Sequence, residues 1–183
     1  FQHDRARPMW AYRDWVVRAF NNNQRFDEFL TWQVAGDLLP RATKEQRLAT
    51  AFNRLHVQNE EGGGVEEEFR VAYVVDRVNT MGTAFLGLTF ECSRCHDHKY
   101  DPITQRDFYS LFAFFQAHDE AGQTSSFTAA MPVPTMLLSD DETDRALADL
   151  RGRIAARESA IRAERDRASG GAFEAWLAAR TGT

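Results

Sequence analysis

The stretch "VVDRVNTMGTAFLGLTFECSRCHDHKYDPITQRDFYSLFAFF", residues 74–115, links two helical patterns through the chain's only two cysteines. Before the cysteines, an apolar period of 3.6 residues runs from Val65 to about Phe90 through Phe69, Ala72, Val75, Val78, Met81 or Gly82, and Phe85. After them, Pro102 marks a turn. Thr104-x-x-Asp107 then caps a helix over "QRDFYSLFAFFQA", residues 105–117. Helix, cysteine motif, helix is therefore the frame on which the rest of the chain is arranged.

The same period recurs on either side. Pro8 suits the first turn of a helix over "PMWAYRDWVVRAF", residues 8–20, with Trp15, Val16, Ala19 and Phe20 on its core face. "NNNQ" breaks it, and "FDEFLTWQVAGDLLP", residues 26–40, follows with Phe26, Phe29, Leu30, Val34 and Leu38 on one side. Thr43-x-x-Gln46 predicts a capping box and a helix through about Leu55. The glycines of "HVQNEEGGG", residues 56–64, stop it, and residues 119–140 read as an irregular connection. From Asp141, Leu147, Leu150, Ile154 and Ile161 form a narrow seam amid dense charge, predicting an exposed, coiled-coil-like helix that "SGG" at 169–171 interrupts. No strand and no internal repeat is evident. The expected fold class is mainly α: a helical domain over residues 1–135, then a connection and an extended exposed helix over 136–183.

Composition agrees with a folded chain. The 183 residues are 43% apolar and 12% aromatic, with 14 Phe and 4 Trp. Lys and Arg number 22 against 27 Asp and Glu, a net charge of −5, which argues against nucleic acid as the main partner. No apolar run is long enough to span a bilayer. The opening "FQHDRARPMW" has no apolar core of a signal peptide and no initiator methionine, so the chain is expected to be a piece of a larger protein.

Cys92-x-x-Cys95-His96 carries the chemistry. Cys-x-x-Cys-His is the attachment signal for c-type haem: two thiols on one turn reach the two vinyl groups of a porphyrin edge, and the adjacent histidine lies under the iron. A second reading is a zinc ion on Cys92, Cys95 and one or two of His96, His98 and His56. No second compact ligand pair supports it. A redox-only cysteine pair is the third. For a haem, His98 is a poor distal ligand, because helical neighbours two apart point about 200° from each other. It suits a propionate or a position behind the ligand, and Lys99 and Arg94 suit a propionate. The sixth iron position falls first to His56, in the glycine-rich loop, then to Met131 in "MPVPTM" and to His118, or it stays open. Glu60 and Glu61 beside His56 are candidate partners for its ring. Glu66, Glu67 and Glu68 suit a helix N-terminus. Asp97 and Asp101 are metal-ligand candidates only on the zinc reading, while Trp10, Trp15, Trp32 and Tyr100 read mainly as core aromatics.

"FDEFLTWQVAGDLLP", "ATAFNRLHVQNEEGG" and the opening stretch, in that order, resemble the planctomycete-type cytochrome C domain, over about residues 8–135. The match is direct at Cys92, Cys95, His96, His98, Lys99, Asp101 and Pro102, and it includes the block around His56. The resemblance implies a module of a very large secreted or envelope-associated bacterial protein. Such a parent would hold another cytochrome-like domain before this one, a carbohydrate-binding-like insertion and a further domain after it. With the motif, residues 1–135 read as a helical c-type cytochrome-like domain with one covalent haem c. Haem c is attached outside the cytoplasm, so a periplasmic or extracellular location is expected. The first function expected is electron transfer with a redox partner protein. A redox or peroxidase-like enzyme module serving polysaccharide breakdown is the alternative.

Overall fold

The computed structural model describes residues 6–60, 62–125, 127 and 131–181. The chain is mainly helical: α1 (Trp10–Asn21), α2 (Phe26–Ala35), α3 (Lys44–Ala49), α4 (Glu66–Met81), α5 (Gln105–Phe115) and α6 (Asp141–Thr181). Among the described residues there is no strand, only an isolated parallel bridge between Asn59 and Gln123. No described helix is long and apolar enough to cross a membrane. The chain divides into two compact units, Phe1–Met136 and Leu137–Thr183.

In the first unit, α1, α2 and α3 close over Trp15, Ala19 and Ala49. The Trp15 indole stacks on Phe29, with ring centroids 5.3 Å apart and nearly parallel planes. The wide aromatics leave little room for the neighbouring residues of the expected stripe. Phe20, Phe26 and Leu38 are exposed instead. Phe26 is the first residue of α2, where the Cα–Cβ bond tilts toward the helix N-terminus. Leu38 lies in a 3₁₀ turn, Gly36–Leu38, whose tighter winding carries it off the α2 face. Gly36 is required there, since a Cβ would meet the Gln46 carbonyl at 2.1 Å. The Thr43–Gln46 capping box forms, but the helix it starts tightens into a 3₁₀ turn over Thr50–Arg54.

The second core cluster joins Val74 and Val78 of α4 to Phe108 and Phe115 of α5, with Phe90 and Ile103 from the segment between them. Fully burying each large side chain contributes about 1.5–3 kcal/mol. The helical pattern expected to reach Phe90 ends earlier, at Met81. A π-helical turn, Gly82–Leu86, follows, and Gly87 takes a left-handed φ of 64° that ends the helix. Phe90 then folds back onto Gly82, where a Cβ would lie 2.4 Å from its ring. The path that delivers the cysteines is thus a stop and a return.

The second unit is α6, 41 residues long. It runs without a break through Ser169, Gly170 and Gly171, against expectation. Two glycines at about 1 kcal/mol each do not break a long helix rich in Ala, Arg and Glu.

Candidate functional site

The cysteine turn is built from the inside outward. Ser93 is fully buried, and its hydroxyl donates to the Ile103 carbonyl at 3.3 Å. With Phe90 and Ile103 in the core, the turn has one face inward, and both flanking thiols, Cys92 and Cys95, are free and exposed. The turn is 3₁₀ over Glu91–Arg94. The Cys95 N–H donates to the Cys92 carbonyl at 3.2 Å. In a 3₁₀ turn, residues i and i+3 eclipse, so this winding sets the two cysteines on one side.

His96 is exposed, and its Nδ1 lies 2.8 Å from the Asp97 carbonyl oxygen. A carbonyl only accepts, so Nδ1 carries the hydrogen and neutral His96 keeps its lone pair on Nε2. Two exposed thiols three residues apart and an adjacent imidazole with a bare Nε2 are the donor set that a c-type haem takes. The residues present fit that group.

The loop after His96 is clasped to α5. The Asp97 carboxylate accepts the Gln105 N–H at 2.8 Å, and the Arg94 carbonyl accepts from Gln105 Nε2 and the Tyr109 hydroxyl. Thr104 and Asp107 make the expected capping box at the start of α5. The hydrogen bonds from Thr104 hold the Asp107 carboxyl below its ordinary range. His98 turns inward, with its Nδ1 accepting the Asp101 and Tyr100 N–H groups at 2.8 and 3.2 Å. Its Nε2 is 3.4 Å from Thr89 Oγ1, and Asp101 Oδ2 is 3.5 Å from Nδ1. Lys99 lies over the exposed Tyr100 ring, 5.3 Å from its centroid. The Arg94 side chain is exposed. Ser93, Thr89, Gln105 and Tyr109 had no signal in the sequence; their role is to hold backbone, and nothing in a residue type announces that.

His56 belongs to a different place. It is buried, stacks on Tyr73 with centroids 4.5 Å apart, and faces the Val57 carbonyl through Nδ1 at 2.8 Å. Its Nε2 lies 3.4 Å from the Glu120 carboxylate. Glu120 accepts from Arg54 at 2.6 Å and from both terminal nitrogens of Arg77, one of them at 2.6 Å. Burial pushes the Glu120 carboxyl up, but its interactions with His56 and Arg77 outweigh that and hold it at about 2. The cluster is tied down all round. Arg77 Nε donates to the Asn53 carbonyl, Arg7 donates to the carbonyls of Arg54 and His56, and Arg54 reaches those of Pro132 and Val133. Phe52, Leu55, Val57, Asp76 and Thr80 line a cleft together with Asn53, His56 and Arg77.

The carboxylate facing His56 is therefore Glu120. Glu60 is buried, and Glu61 lies outside the described residues. For His56 to reach an iron it would have to leave Glu120 and Tyr73. Met131 is exposed, and His118 donates from Nδ1 to the Phe115 carbonyl at the end of α5. No hydrogen bond, ion pair or ring contact described here joins His56, Met131 or His118 to His96. Among the described residues, no three His, Cys, Asp or Glu side chains converge as a metal-holding group.

Residues 1–120 match a family described as PSCyt2, protein of unknown function (DUF1549). No curated protein and no solved structure matches the chain.

Proposed function

The chain belongs to the PSCyt2 family of planctomycete-type cytochrome C domains, and from that premise we propose that it carries one haem c, covalently held by Cys92 and Cys95 with His96 as proximal ligand. The observation that carries this reading is the cysteine turn: buried Ser93 leaves both thiols exposed, and the Asp97 carbonyl leaves His96 its Nε2 lone pair. When bound, the haem supplies a reversible one-electron iron couple. Everything else is the work of the chain. Ser93 and Phe90 anchor the turn, Asp97 fixes the tautomer of His96, and the exposed thiols place the group at the surface, where a redox partner protein or a neighbouring domain of a larger chain has access. Because haem c is attached outside the cytoplasm, the proposed location is periplasmic or extracellular.

Zinc on the same residues is less well supported. It asks for a compact third or fourth donor, and the nearest histidine beyond His96 has its Nδ1 committed to two backbone N–H groups. Electron transfer ranks above peroxidase-like chemistry because that chemistry asks for an unligated His56 beside an open sixth iron position, and His56 is held by Glu120 inside the protein.

The test is the visible spectrum of the protein purified from its native host, repeated after denaturation and acid–acetone extraction. A Soret band that stays with the polypeptide is expected, and it should become extractable in Cys92→Ala/Cys95→Ala. A colourless native protein would overturn the proposal.

A further inference from the structure

We propose that His98 is a positioning residue for His96, acting as a hydrogen-bond acceptor for the backbone and not as an iron or zinc ligand. The inference goes beyond the haem reading in assigning a role to the second histidine of Cys-x-x-Cys-His-x-His, and its consequence for the iron rests on that reading. The geometry is specific. Two successive backbone N–H groups, of Tyr100 and Asp101, converge on His98 Nδ1 at 3.2 and 2.8 Å. A nitrogen that accepts carries no hydrogen, so the ring proton is on Nε2, beside the Thr89 hydroxyl oxygen at 3.4 Å. The His98 N–H donates to the Ile103 carbonyl at 2.8 Å. That carbonyl also accepts from the buried Ser93, which sits between the two cysteines.

His98 thus closes the loop from residue 98 to 103 on itself and ties it to the turn that bears Cys92 and Cys95. The His98 side chain is only 9% exposed, so its ring has little water to accept from in place of these two N–H groups. Residue 97, between the two histidines, is held at its other end by the N-terminus of α5 through Asp97 Oδ1. The His96 imidazole takes its orientation from the Asp97 carbonyl. With Asp97 pinned by α5 and residue 98 by its own ring, that carbonyl has a single direction. Tyr100, with its ring exposed, and Lys99 contribute no comparable anchor.

The discriminating substitutions follow from where each side chain places an acceptor. Asparagine puts an oxygen at the position of histidine Nδ1, and glutamine puts one nearer Nε2. Backbone amide hydrogen exchange at Tyr100 and Asp101 reads the clasp directly. His98→Gln should speed exchange at both amides about tenfold or more, while His98→Asn should stay within about twofold of the parent. In haem-loaded protein, the ferrous absorption bands should be unchanged in His98→Asn and shifted or split in His98→Gln, as His96 loses its single orientation. Unchanged amide exchange in both variants would overturn the proposal. So would equal spectral changes in both, the result expected of a ligand lost in either. A native protein without haem would sink the proposed function while leaving the exchange test of the clasp intact. Should His98→Gln fail to fold, a through-hydrogen-bond coupling between the Asp101 amide nitrogen and His98 Nδ1, measured in the parent protein, tests the same bond; its absence would overturn the proposal.

Discussion

At Glu120 one carboxylate, stripped of water, accepts from two guanidiniums and faces an imidazole. Its carboxyl is held at about 2 against an ordinary 4.5. A carboxyl depressed in the folded state adds stability that is fully present above its unfolded value and is lost as pH falls through its folded one. Between pH 4.5 and 2, the protein should therefore lose on the order of 3 kcal/mol on this account. Urea midpoints measured across that range should fall steeply in the parent and less so in Glu120→Gln. An identical slope in both would refute the assignment. At pH 7, Glu120→Gln should cost about 3–5 kcal/mol, because Arg77 would stay buried and lose its counter-charge. His56 could be singled out from its loop, but its partner could not. Glu120 lies 43 and 66 residues from the arginines it binds, and nothing in "AHDEAGQ" distinguishes it from the surface acids around it.

The helix starts were the most readable elements, since a capping box is written within four residues. Thr43 and Thr104 both close one. Thr104→Ala should destabilise the first unit by about 1 kcal/mol, seen as a lowered denaturation midpoint. It should also loosen the clasp, whose Asp97 carboxylate binds the next residue, Gln105. A change within error at both the midpoint and the Gln105 amide would show the cap to be dispensable. Helix ends were harder to read. α4 stops nine residues before the expected Phe90 because Gly87 turns left-handed and Phe90 needs the bare Cα of Gly82. Those glycines carry opposite instructions from Gly170 and Gly171, which α6 absorbs. The residue type is the same; Phe90 packs on Gly82 and Gly87 takes a positive φ, while no side chain meets Gly170 or Gly171.

Across the whole molecule, every member of both core clusters lies before residue 137. A chain ended after Met136 should keep the cooperative thermal transition of the parent, within about 3 °C of its midpoint, by calorimetry. Loss of that transition would mean that Leu137–Thr183 is part of the folding unit. In α6, Leu150, Ile154 and Ile161 are exposed, as the narrow seam in the sequence foretold.

The sequence by itself determined the helical class, the cap positions and the cysteine motif with its adjacent His96, because each is encoded within one or two turns of chain. Only the tertiary structure decided that Phe20, Phe26 and Leu38 face out, that His98 accepts from backbone, and that His56 answers to Glu120. These depend on which segments meet after loops have closed. Such meetings follow from the volumes of Trp15, Phe90 and Phe108 and from the need to pair every buried charge, and neither leaves a periodic trace in the order of residues.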